Sequence, residues 1–137
     1  MIVDMVRELN MDNDLKIAVE VYLEAIKASY FAWGAGKVRD EIAHQVRMDM
    51  LADFNAAICY EEGSKYIRIV TGNKTSRSVH SFIAKGDATW RVGKKIVQIK
   101  RGDILKAATW KAPAKNQARG NIFQQYHTQW EGADYLR

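Results

Sequence analysis

A chain of 137 residues, 47% hydrophobic and 27% charged, has the make-up of a single globular domain. It is too apolar for wholesale disorder, no uncharged apolar run approaches the ~18 residues of a membrane span, and one cysteine, Cys59, cannot build a disulfide frame or a Cys-rich zinc site. The net charge of +5 conceals an asymmetry: residues 1–63 hold 6 basic and 12 acidic side chains, whereas residues 64–137 hold 15 and 4.

In chain order, residues 4–10 read as a short helical lead-in, and Asp4 and Glu8 interrupt the apolar run that a secretory signal needs. Asn13 or Asp14 caps a helix beginning near Leu15. Leu15, Val19, Tyr22, Ile26, Tyr30 and Trp33 recur at three- and four-residue spacings and share one face. Gly34 and Gly36 stop that helix. A second helix is expected from Lys37 to Ala57, with Val38, Ile42, Val46, Met50 and Phe54 as its buried stripe, Leu51 and Ala57 beside it. A short glycine loop makes the two antiparallel neighbours.

The period then changes from helical to alternating. Ile58–Glu62 and Lys65–Thr71 read as strands around a Gly63-Ser64 hairpin turn, with Tyr66, Arg68 and Val70 on one face and Ile67 and Ile69 on the other. Residues 71–78 are a polar loop. Val79–Ala84, Thr89–Val92, Ile96–Lys100 and Ile104–Trp110 complete the strands, and Pro113 ends the last. Residues 111–121 form a basic loop, and the aromatic tail from Ile122 is expected to dock on the sheet. The fold class is therefore α+β: an N-terminal antiparallel helical hairpin (1–57, acidic) followed by an antiparallel β-sheet or small partly closed barrel (58–137, basic), in one domain.

Cations crowded into the β half point to a polyanion as partner. Trp90 precedes Arg91 and Trp110 precedes Lys111, a pairing of cation and aromatic that suits phosphates and stacked bases; a small sheet also uses tryptophan as core. The polar loops offer Lys74, Arg77, Lys115 and Arg119 among small residues that let backbone N–H groups approach an anion. The loop at 71–78 is not a P-loop, because Asn73 stands where the pattern needs glycine before Lys74. Lys94, Lys95 and Lys111 complete the candidate nucleic-acid-binding set, with Trp110 as a base platform.

Other chemistry is weakly supported. Glu41 and His44 have Glu-x-x-His spacing on a helix, yet no second copy exists to complete a di-iron centre. Cys59 has Glu61 and Glu62 as neighbours, the wrong charge for a reactive thiolate. His80 alternates with Val79 and Ser81 in a strand and reads as a structural histidine. No catalytic residue, cofactor or metal is expected.

One segment, GDILKAATWKAPAKNQARGNI (Gly102–Ile122), resembles a signature of small bacteriophage-encoded proteins. The resemblance implies a host-cytoplasmic or virion setting and assigns no activity and no site residue. Two readings follow. The first is a non-enzymatic accessory protein that contacts the phosphates of single-stranded or duplex nucleic acid. The second is a virion or interaction component, in which the acidic helices of one copy meet the basic sheet of the next in a homo-oligomer, or the basic half meets an acidic protein surface.

Overall fold

The computed structural model describes residues 13–35, 41–73 and 75–133. The lead-in at 4–10, the start of the second helix at 37–40, Lys74 and Tyr135 lie outside the described residues. The architecture is α+β, two helices and then antiparallel sheets, with no closed barrel. No helix among the described residues is long and apolar enough to cross a membrane.

Helix α1 spans Asn13–Ala35. Its first turn is capped by Asp14, whose carboxylate accepts the Leu15 N–H at 2.9 Å, where a negative charge also suits the helix dipole. Leu15, Val19, Tyr22, Ile26 and Tyr30 are buried as their spacing requires. Trp33 continues the series but is 40% exposed. A helix of this length runs about 34 Å, whereas an eight-residue strand gives only about 26 Å of cover.

Helix α2 spans Glu41–Ala57, and here the expected stripe is corrected. Ile42, Val46 and Met50 are exposed, at 80%, 51% and 42%, and of the described members of that set only Phe54 is buried. Each step of four residues advances about 40° beyond a full turn, so three such steps wind off any one face. The inward positions are Ala43, Arg47, Leu51 and Phe54, then Ile58. Arg47 holds a packing position because its guanidinium lies over the Trp33 ring, 4.9 Å from the centroid. Trp33 meets Arg47 and Tyr30 meets Phe54, so contacts descend α1 as they ascend α2, the sense of an antiparallel pair.

Strands β1 (Cys59–Glu62), β2 (Tyr66–Gly72), β3 (Arg77–Ala84) and β6 (Ile104–Leu105) form one antiparallel sheet in the order β1-β2-β3-β6. The first hairpin closes one residue later than expected: the Gly63 N–H donates to the Tyr66 carbonyl at 2.8 Å, so Ser64 and Lys65, not Gly63 and Ser64, form the tip. Gly72 ends β2 with φ +142°, and a Cβ there would strike the Ser76 carbonyl oxygen. Strands β4 (Ala88–Val92) and β5 (Lys95–Ile99) make a separate hairpin, and β7 (Thr128–Gln129) with β8 (Gly132–Ala133) a smaller one.

The sheet buries both faces. Ile67, Ile69, Ile83 and Ile104 pack against α1, Phe54 and Ile58. On the reverse side Phe82, Ala84 and Leu105 pack with Ile99, Tyr66, Trp90 and Val97. The alternation in β2 thus sorts as expected, isoleucines toward the helices and Tyr66 and Arg68 away from them.

Two expectations at the C-terminal end are corrected. Strand β6 stops after two residues instead of reaching Trp110, because Thr109 Oγ1 accepts the Lys111 and Ala112 N–H groups, each at 3.2 Å, and folds the chain into a turn. The aromatic tail docks across the seam between α1 and β3: the Trp130 N–H donates to Ser29 Oγ on α1 at 3.1 Å, and Tyr126 stands edge-on to Tyr22.

Candidate nucleic-acid interface

The sheet face turned away from the helices carries two adjoining clefts, of about 320 and 550 Å³, that share Ser64, Lys65 and Tyr66. Lys65 is at the tip of the β1–β2 hairpin, Arg68 points outward from β2, and Lys85 follows β3. Lys111 and Lys115 come from the segment after β6. Together the clefts are lined by these five cations against three carboxylates, Glu61, Glu62 and Asp87.

Some of this charge is compensated within the sheet. Glu61 accepts from Arg68 at 3.2 Å and from Arg77 at 3.3 Å, and Arg77 first, then Arg68, holds its carboxyl below the usual range. Lys85 pairs with Glu62 at 2.7 Å. Lys65, Lys111 and Lys115 are exposed and make no ion pair among the described residues. Among the described residues, Arg101 pairs with Asp14 at 2.7 Å and so joins the β half to the helical layer.

The expected site residues separate into groups. Lys111 and Lys115 line the clefts. Arg77 and Trp110 come together beside them: Trp110 is 39% exposed, and the guanidinium carbons of Arg68 and Arg77 lie over its ring at 4.9 and 5.3 Å. Arg68 Nε also donates to the Trp110 carbonyl at 2.7 Å. The protein's own arginines therefore already use Trp110 as a platform. Lys94 and Lys95 are exposed in the turn of the β4–β5 hairpin and line neither cleft. Arg119 is half-buried, its backbone N–H donating to the Ile104 carbonyl at 2.7 Å, and belongs to the irregular segment that runs alongside β6. Lys74 lies outside the described residues. Trp90 packs into the reverse-face core, with its indole N–H on the Asn116 carbonyl at 3.1 Å.

Lys65, Arg68 and Lys85 are site residues that motif reading missed. The signal for Arg68 was the alternation of β2, which placed it with Tyr66 on the outward face; Lys65 was read as the first residue of that strand, and only the one-residue shift of the turn brings it to the tip.

The Gly102–Ile122 signature is a structural clamp. Asp103 is buried, and its carboxylate accepts the Lys100 N–H at 2.8 Å and the Asn121 side-chain amide at 3.0 Å. Asn121 in turn accepts the Phe123 N–H at 2.8 Å. Gly102 takes φ +88°, where a Cβ would collide with the Phe123 ring.

A buried polar network also escaped sequence reading. A bulge in β3 leaves His80 out of register with β2, so both His80 and Ser81 turn inward. The Gln129 carbonyl can only accept, so His80 Nε2 donates to it. Nδ1 then accepts from Ser81 Oγ at 2.8 Å, and Ser81 accepts from the Tyr22 hydroxyl at 2.8 Å. Burial pushes His80 down to about 4 and Tyr22 up to about 12. The serine–histidine pair has hydrolase connectivity, but Ser81 is 0% and His80 3% exposed, so no substrate reaches the hydroxyl in this conformation. Cys59 is half-buried with Arg77 Nη2 at 4.0 Å from its sulfur, a more positive setting than its acidic sequence neighbours suggest. Glu41 and His44 are both exposed, and among the described residues no three His, Cys, Asp or Glu side chains group as metal ligands would.

Residues 4–135 match the model of a family of unknown function, DUF7717. The chain belongs to DUF7717. The match runs through the helical layer as well as the sheet, so DUF7717 membership rests on both halves of the fold and not on the Gly102–Ile122 segment alone. No curated protein and no solved structure matches this DUF7717 chain.

Proposed function

We propose that this chain is a non-enzymatic nucleic-acid-binding accessory protein that grips backbone phosphates with the sheet face opposite its helices. The observation that carries this reading is the pair of adjoining clefts, with Lys65 between them and Lys111 and Lys115 among their walls, all exposed and without ion-pair partners among the described residues. Lysines so placed release condensed counterions when they meet a phosphate backbone, the main source of affinity in sequence-independent binding. The enclosed Ser81–His80 pair supports the non-enzymatic part. The resemblance of Gly102–Ile122 to small phage proteins supports a phage-encoded origin. The test is a fluorescence-anisotropy titration with labelled single-stranded and duplex oligonucleotides at low salt: saturable binding is expected, and its absence with both would end the proposal.

A second reading, assembly with protein, is favoured by the helical layer. Ile17, Val21, Phe31, Ile42 and Val46 are each more than half exposed there, more apolar surface than an isolated helical layer usually leaves open. Light scattering at low and high salt separates the two, since an oligomer that ignores oligonucleotides supports assembly.

A further inference from the structure

The β4–β5 hairpin is anchored at its base and free at its tip. Ala88, Trp90, Val97 and Ile99 pack into the reverse-face core, and the Trp90 indole N–H donates to the Asn116 carbonyl. Beyond them residues 91–96 are all exposed, and among the described residues the hairpin pairs with no other strand. Gly93 turns the chain at φ +62°, a conformation that suits glycine.

The last two cross-strand pairs are Arg91 with Ile96 and Val92 with Lys95. Each sets a cation opposite an aliphatic side chain, so both faces of the tip are at once basic and apolar. Lys94 adds a further cation in the turn. Arg91, Lys94 and Lys95 make no ion pair among the described residues, and the sequence holds no acidic residue from 88 to 102. Edge-protecting lysines account for the charge. They do not account for Ile96, 64% exposed, and Val92, 39% exposed, at the same tip.

The base of the hairpin belongs to the basic surface: Ala88, Thr89 and Trp90 line the larger of the two clefts with Lys65, Lys85 and Lys115. A phosphate backbone held in that cleft therefore lies at the root of the arm. Two residue pairs at about 3.4 Å each carry the turn about 7 Å beyond the Trp90–Val97 pair. That reach is close to the depth of the B-DNA major groove, about 8.5 Å, and that groove admits a two-stranded ribbon. The major groove of duplex RNA is too narrow for side chains to read. In the DNA groove the apolar group on offer is the thymine methyl.

Resting on the reading of the sheet face as a phosphate grip, we propose that the β4–β5 hairpin is a ribbon arm that enters the major groove of duplex DNA. Arg91, Lys94 and Lys95 meet the flanking phosphates, and Ile96 meets thymine methyl groups. The arm thereby selects duplex DNA over duplex RNA and over single strands.

The experiment is a titration of the full chain with four probes of one sequence: a DNA duplex, the same duplex with uracil in place of thymine, the RNA duplex and the single DNA strand. The thymine duplex should bind tightest, and the uracil duplex about fourfold more weakly for each methyl contacted. Ile96→Ser, at an exposed position, should bind the thymine and uracil duplexes alike. Lys94→Gln combined with Lys95→Gln should weaken duplex DNA by about tenfold and the single strand by less. Circular dichroism checks that both variants fold. No binding to any probe would overturn the phosphate grip and the arm together. Binding overturns the arm alone if the parent treats the four probes alike, if the thymine preference survives Ile96→Ser, or if the double variant binds duplex DNA as the parent does. Capture by phosphatidylserine vesicles that Ile96→Ser abolishes, with duplex affinity unchanged, would assign the tip to a membrane surface and overturn it too.

Discussion

Tyr22 shows how one side chain couples the layers. Its ring fills the core from α1, and its hydroxyl reaches Ser81, 59 positions along the chain, at 2.8 Å. Tyr22→Phe keeps the ring and removes that donor, so chemical denaturation should report a loss of about 1–3 kcal/mol, the range for leaving a buried partner unsatisfied. His80 adds a pH dependence. Its folded value, about 4, lies below the ordinary 6.5, so the unfolded chain binds the proton more readily. Stability is therefore complete above about pH 6.5 and falls as pH drops toward 4, by about 3 kcal/mol across that window. Glu61, held low by Arg77 and Arg68, and Asp14, held low by Arg101, lose their contributions only from the ordinary carboxylate range downward. Melting temperatures read between pH 7 and 5 should decline in the parent chain and flatten in His80→Gln. The sequence places Tyr22 correctly in the core stripe but gives no sign of its hydroxyl's partner. That partner depends on a bulge in β3, and a bulge has no fixed residue signature when no glycine marks it.

At the scale of elements, α1 and β2 were legible because their buried faces are uniformly apolar and keep their period. The register of α2 was not. Its visible stripe steps by four throughout and winds away from the core, while the true inward series includes Arg47, which packs through its stem and cation–π contact. The consequence is measurable. Phe54→Ala should cost about 3–5 kcal/mol, whereas Ile42→Ser, at 80% exposure, should stay within about 0.5 kcal/mol. Had the sequence stripe been the packed one, the two losses would be comparable. The similar strings around Trp90 and Trp110 make the same point about local context. One lies in β4 and the other in a turn, because the second is followed by Ala112 and Pro113, and Thr109 caps its N–H groups. Gly72→Ala should likewise cost about 1–3 kcal/mol, since its backbone conformation is hostile to a side chain and the Ser76 carbonyl occupies the space.

Across the whole molecule, charge is divided by layer. The helices carry the acidic surplus on one side of the sheet, and Lys65, Lys111 and Lys115 make no ion pair with them among the described residues. The ion pairs described are on or near the surface, where such pairs contribute about 0–1 kcal/mol each, so they add little to the stability of the fold. The composition showed this asymmetry from the outset. It did not show which lysines share a surface, because that depends on the order of the strands: Lys65 and Lys85 become neighbours of Lys115 only once β2, β3 and the segment after β6 are placed side by side. The most direct test of a phosphate-gripping face is the salt dependence of oligonucleotide affinity in the parent chain and in the triple variant Lys65→Glu, Lys111→Glu, Lys115→Glu, with circular dichroism to check folding. With about three phosphates neutralised, the parent should lose roughly 20- to 40-fold in affinity between about 50 and 200 mM salt, and the folded variant should bind far more weakly at low salt. Salt-independent binding by the parent, or equal binding by the charge-reversed variant, would contradict the account.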